Sequence, residues 1–384
     1  MEVSPILSAD LAEGVYSVNK NDPVALKIFL SASAFSQKVK PSVLTASVGG
    51  RLLRAAKDGF GVCAQGGGDY QGHVFLVFRG TTEANNKADF VTDARIGITI
   101  SKTGLPVHIG FNHTFNSMLP DIRDFLAKAD ITGPVHCIGH SLGGAVASLA
   151  ADWVSRNTSH PVRLYTFGAP RVGTDWFVNR TTVSIGRENM YRVYHKTDPV
   201  PMVAMYPFMQ APYGSPGYFI HSSELALTGA AHKMGKYIAS LKSKSWEQVA
   251  DVPDQPYLFD SAVEDWLKSR NWASADSPVF WQWAEAALRY VLKKVIVVVA
   301  YSLQTTFVGV LTVADKLAII LEKGLHLAEH ISLWVELLIR KLLHALGMKV
   351  EASKEAITRS LIRIVLVQLM EKANRQARNA LRNL

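Results

Sequence analysis

Cysteine is scarce: the 384-residue chain carries two, Cys63 and Cys137. Both stand in apolar, strand-like surroundings and neither has a metal-ligand spacing. Two buried free thiols are therefore expected, rather than a disulfide framework or a metal module. Also missing is any run of Lys and Arg interleaved with aromatics, so no nucleic-acid partner is expected. No internal repeat or low-complexity tract is visible. The opening residues, MEVSPILSADLAEGVY, lack the basic region and apolar run of a secretory signal peptide. The protein is accordingly expected to be cytoplasmic as made, and membrane-associated or exported by a signal-independent route.

What is present is a sizeable apolar content, 48% of residues, and an excess of positive charge, +9. The first excludes a disordered chain and the second suits an anionic surface. The charge is uneven: +7 in residues 1–245, −5 in 246–280 and +7 in 281–384. Up to about residue 245, helical and strand patterns alternate. GFGVCAQ (59–65), HVFLVFRG (73–80), PVHCIGH (134–140), VRLYTFGAP (162–170) and MYRVYHKTDPV (190–200) read as strands or strand ends. The expected fold class is α/β with a mostly parallel central sheet. Residues 246–280, acidic and proline-bearing, read as a linker, and 281–384 as an all-helical domain.

Gly139-His140-Ser141-Leu142-Gly143 fits G-x-S-x-G between a strand and a helix, the context of a nucleophile elbow. A nucleophile on so tight a turn needs neighbours without side chains, which Gly139 and Gly143 supply. A hydroxyl also needs a base, and the base a carboxylate. Asp198, in the turn KTDPVP, is the candidate acid. His232, ahead of an amphipathic helix, is the candidate base, with His221 in GYFIHSSELAL as competitor. The amides of Leu142 and Thr81 are the candidate oxyanion donors, Thr81 following the strand VFLVFRG. His140 reads as structural. This chemistry needs no metal or organic cofactor.

The pieces VFRGT (77–81), DFVTDARI (89–96), VHIGF (107–111), GHSLGGA (139–145), TFGAPRVG (166–173), YRVYHKTDPVP (191–201) and HKMGKYI (232–238) occur in one order. In that set the chain resembles the class 3, fungal-type lipases over about residues 8–245. The resemblance implies an α/β-hydrolase fold and hydrolysis of carboxylic esters. It assigns Ser141 as nucleophile, Asp198 as acid, His232 as base, and Thr81 with Leu142 as oxyanion hole. It also implies a lid over about 82–104, with Phe90, Val91, Ile96, Ile98 and Ile100 facing lipid. The short Asp198–His232 interval differs from the secreted fungal members and argues against a secreted digestive role.

Residues 295–314, VIVVVAYSLQTTFVGVLTVA, hold no charge. Twenty helical residues span about 30 Å, a bilayer core. The segment reads either as a membrane-inserting helix or as the buried helix of a bundle. Residues 331–346 and 359–382 read as basic amphipathic helices, suited to a lipid surface or to a partner or inhibitor protein. The expected function is lipase or phospholipase action on lipid esters. The alternative is a helical module that inserts in membranes or binds a partner, in a chain that also resembles delivered bacterial lipase toxins.

Overall fold

The computed structural model describes residues 1–18, 22–32, 34–36, 40–48, 56–80, 97–215, 217–249, 259–299, 312–349, 353 and 355–382. They fall into two compact units: Met1–Ala94, Ile98–Pro253 and Ala377–Leu384 form the first, Arg95–Gly97 and Asp254–Gln376 the second.

The first unit is built on a seven-stranded sheet. In chain order its strands are β1 (Ser42–Val48), β2 (Ala56–Gln65), β3 (Val74–Phe78), β6 (Val135–His140), β7 (Val162–Phe167), β9 (Met190–His195) and β11 (Tyr218–Ile220), which is also their spatial order. β1, β2 and β3 are antiparallel neighbours; from β3 to β11 every pairing is parallel. The mostly parallel sheet read from the alternating pattern is thus present. A second, four-stranded sheet runs β10 (Phe208–Met209), β8 (Gly173–Thr174), β5 (Pro106–His108), β4 (Ile98–Ile100).

The central strands are apolar throughout because both sheet faces are covered. On β3, Val74, Leu76 and Phe78 join one core, with helices α3 (Ile109–Lys128), α4 (Leu142–Asn157) and α5 (Asp175–Ile185). Phe75 and Val77, pointing the other way, join a second core with α1 (Pro5–Gly14), α2 (Pro23–Leu30) and α6 (Met234–Leu241). Cys63 and Cys137 are buried and free. Both register on Leu76, one on each side. Two strand spacings, about 9–10 Å, exceed disulfide reach.

Several buried histidines are held neutral. Burial pushes His108 down to about 4, and sets His136 and His140 well below the usual histidine value of 6.5. The unfolded chain takes up these protons as pH falls below about 6.5, while the folded chain does not. Stability is therefore complete above pH 6.5 and lost as pH falls towards 4, by up to about 1.4 kcal/mol per pH unit for each histidine. Melting temperature should fall steadily between pH 7 and 5; a flat profile there contradicts this reading.

The second unit is helical: α7 (Asp260–Lys268), α8 (Pro278–Val299), α9 (Val313–Leu325), α10 (Glu329–Ala345) and most of α11 (Arg359–Arg382). This division differs from the expected one at 245 and 281. The segment read as a linker contains α7, because Val263 and Leu267, one turn apart, are buried beneath its acidic face. Lys341 is 3% exposed; its ammonium donates to the carbonyls of Ser269 (2.8 Å) and Asn271 (2.9 Å) and lies over the rings of Trp266 and Trp272. The stretch 295–314 falls mainly on 300–311, outside the described residues. Its two ends belong to different helices, α8 and α9, the second opened by a capping box of Thr312 and Asp315. Among the described residues, no helix is long and apolar enough to cross a membrane.

Candidate active site

β6 ends at His140 and α4 starts at Leu142, so Ser141 sits alone on the turn. Its backbone is at φ 56° and ψ −131°, in the positive-φ region that is strained for a side chain. The turn is held by Ser141 N–H donating to the Phe167 carbonyl at 2.9 Å and Gly144 N–H to the Ser141 carbonyl at 2.9 Å. There is no room beside it. A Cβ on Gly139 would lie 2.3 Å from the Gly143 oxygen, and one on Gly143 would lie 2.3 Å from the Phe78 oxygen.

Asp198 follows β9, and His232 ends a 3₁₀ turn, Gly229–His232, just before α6. The His232 Nδ1–H donates to Asp198 Oδ2 at 2.7 Å, and both side chains are fully buried. A carboxylate only accepts, so Nδ1 carries a proton, and in the neutral ring Nε2 is the acceptor. Asp198 Oδ1 accepts from the Val200 amide at 2.9 Å, which fixes the carboxylate from its other side. A Cβ on Gly168, next to the residue that holds Ser141, would be 2.6 Å from Asp198 Oδ2 and 2.9 Å from His232 Nδ1. Ser141, Asp198 and His232 thus converge on the turn at Phe167–Gly168. Ser141 Oγ and His232 Nε2 are both buried without a hydrogen-bond partner among the described residues. Buried polar atoms normally have partners. A hydroxyl and an imidazole lone pair are the groups a proton transfer needs, and their hydrogen bond is often formed only with substrate bound.

His221 goes elsewhere: it follows β11, is exposed, and has the Phe219 ring as its neighbour. The amide of Leu142 is in the first turn of α4, where no intrahelical acceptor exists and negative charge is favoured. Thr81 and most of the expected lid, 82–96, lie outside the described residues. Of its remainder, Ile98 and Ile100 lie in β4 and Ile100 is exposed.

Some functional neighbours had no signal in the sequence reading. The Tyr237 hydroxyl, on α6, donates to Asp198 Oδ2 at 2.7 Å and accepts from the His195 amide at 3.2 Å. Burial holds this phenol's pKa well above its usual value, so it remains a donor. The His195 ring stacks on Tyr237 with centroids 4.2 Å apart, and its Nδ1–H donates to the Ala231 carbonyl at 2.7 Å. Tyr237 lies within HKMGKYI, yet its five-residue distance from His232 says nothing of the carboxylate it serves. His140, read as structural, touches the candidate base: its ring centroid is 4.5 Å from that of His232.

A mostly parallel sheet with a strained serine between strand and helix, and an Asp–His pair brought to the same turn, is the arrangement of an α/β-hydrolase fold. Residues 75–208 match the family model described as lipase (class 3). Over that segment, about a third of the chain, the sequence is similar to the class 3 lipase family.

A protein named secreted mono- and diacylglycerol lipase 1, from Fusarium solani, is 38% identical over 125 residues, covering 32% of this chain and 36% of the relative. Toxin TseL of Vibrio cholerae is 42% identical over 78 residues, covering 20% of this chain and 12% of the relative. Among solved structures, lipase II from Rhizopus niveus has a TM-score of 0.40 at 23% identity, covering 59% of this chain and 82% of that one. The chain spans about a third of the length of the Fusarium relative. Like that relative, proteins of Gibberella zeae and Penicillium cyclopium are named as secreted lipases. These names overturn the expectation of a cytoplasmic protein and point to export.

Proposed function

We propose that this chain is an exported serine hydrolase that cleaves carboxylic esters of lipids through an acyl-enzyme on Ser141. The observation that carries the reading is the buried Asp198–His232 hydrogen bond together with the unpaired Ser141 Oγ and His232 Nε2. His232 Nε2 takes the Ser141 proton as Oγ attacks the ester carbonyl. The oxyanion meets the amides of Leu142 and Thr81. His232 returns the proton to the leaving alcohol, and water, activated by the same Nε2, releases the acid. Asp198 holds the imidazole in the tautomer this sequence requires. The names of the fungal relatives support mono- and diacylglycerols as substrates. The net charge of +9 supports phospholipids at an anionic surface.

The test is covalent labelling. A fluorophosphonate should modify the native chain on the peptide bearing Ser141 and leave Ser141→Ala unmodified; label on another residue, or none, sinks the assignment. Acid release from monoacylglycerol, diacylglycerol and phosphatidylcholine vesicles then ranks the head groups. A second reading, favoured by the similarity to a protein named a toxin, makes the helical residues 281–384 a membrane- or partner-directed module. It requires Ser141→Ala chain to release dye from anionic liposomes, and an intact vesicle population excludes it.

A further inference from the structure

One hydrogen-bonded chain links three segments of the site. The Gly80 N–H donates to the Tyr16 hydroxyl oxygen at 2.9 Å. The Tyr16 hydroxyl contacts His140 Nδ1 at 2.7 Å, and His140 Nε2 contacts the backbone carbonyl of His232 at 2.8 Å. The direction of the chain is forced. A carbonyl can only accept, so His140 Nε2 carries the hydrogen. Nδ1 of the neutral ring must then accept, and Tyr16 must donate to it. Burial disfavours the charged imidazole and so preserves this pattern. A second proton on His140 would face a tyrosine oxygen that already accepts from Gly80.

The three anchored points matter for the chemistry. Gly80 lies two residues past the end of β3 and directly precedes Thr81, the candidate oxyanion donor. A Cβ on Gly80 would be 2.4 Å from the Tyr16 hydroxyl and 3.0 Å from the Ser141 Cβ, so this backbone runs against the nucleophile. His140 directly precedes Ser141 and is 1% exposed. His232 is the base, and its carbonyl is the end of the chain. Tyr16 comes from the short 3₁₀ turn Val15–Ser17 that follows α1, far from all three in sequence.

We propose, resting on the hydrolase reading above, that Tyr16 and His140 are positioning residues that hold the oxyanion-loop backbone and the segment bearing His232 in register with Ser141. Neither hydrogen-bonds to the reacting atoms, Ser141 Oγ and His232 Nε2. They set the distance and direction from which Nε2 and the oxyanion amides meet the substrate. A misplacement of about 1 Å at such a site costs about 100-fold in rate. Their action is on the placement of the reacting groups, so the effect falls on kcat rather than KM.

The experiment compares Tyr16→Phe, His140→Gln and His140→Leu in the full chain, with wild type and Ser141→Ala alongside, on a soluble short-chain ester. Tyr16→Phe and His140→Leu should lower kcat by about 10- to 100-fold with KM changed less than about threefold. His140→Gln, whose amide can still donate to the His232 carbonyl, should recover most of the loss seen in His140→Leu. Each variant's circular dichroism should match wild type. Wild-type kcat in Tyr16→Phe and His140→Leu overturns the proposal. So does a loss that comes only with loss of fold, or an equal loss in the glutamine and leucine variants. If wild type neither turns over ester nor takes the fluorophosphonate label, the hydrolase reading itself fails. That outcome is separate, because it appears before any variant is compared.

Discussion

His232→Ala should lower kcat for a short acyl ester by about 10⁶-fold, while His221→Ala stays within about twofold of wild type. The two histidines are eleven positions apart, and residue type does not separate them. Geometry does. His232 is fully buried and its Nδ1 is engaged with Asp198, which leaves Nε2 free to accept a proton. His221 is exposed and lies beside Phe219. Removing the imidazole leaves Ser141 as an unactivated alcohol, although the oxyanion donors remain. Asp198→Asn should cost about 10⁴-fold, because an amide at Oδ2 can turn its NH₂ towards Nδ1 and favour the wrong tautomer. Tyr237→Phe should cost far less, since Asp198 keeps its bonds to His232 and to the Val200 amide. Steady-state kinetics on one ester checks the whole order. Near-wild-type turnover by His232→Ala, or a deep loss in His221→Ala, sinks the assignment of the base.

The sequence made the elbow legible because its demands are local. Gly139, Ser141 and Gly143 stand within five residues, and the clash that each glycine avoids is set by the turn they form. The central sheet was legible for a similar reason: β3 and β6 are short apolar runs bounded by turn residues. The small sheet had no such signal. Its strands are two or three residues long, too short to show a period of two. α7 was missed because Asp260, Glu264 and Asp265 dominate the composition of a helix that buries only Val263 and Leu267. The bridge from Tyr16 to His140 crosses 124 positions of sequence, and neither residue type announces it. The candidate catalytic side chains could be proposed from spacing and context. The groups that hold them could not, because long-range hydrogen bonds leave no local pattern.

Gly143→Ala should destabilise the chain by more than about 4 kcal/mol, enough to prevent accumulation of folded protein. Its added methyl would meet the Phe78 oxygen at 2.3 Å and the Arg79 carbonyl carbon at 2.7 Å. Gly139→Ala meets the same problem from the other side, against the Gly143 carbonyl and the Gly144 nitrogen. All these contacts are backbone, so no side chain can rotate away. Relief requires separating α4 from the end of β3, which opens the core where Phe78 and Leu142 are fully buried. Gly235→Ala is the opposing control. It lies inside α6 with nothing within 4 Å of an added Cβ, and should gain about 0.5–1 kcal/mol from helix propensity alone. Thermal melts of the three variants separate a steric requirement from a general preference for glycine. A folded Gly143→Ala with wild-type melting temperature contradicts the close packing from which the elbow was argued. With the clash confirmed, the glycines of G-x-S-x-G act on stability, while the Ser141 hydroxyl and the Leu142 amide carry the proposed chemistry of the motif.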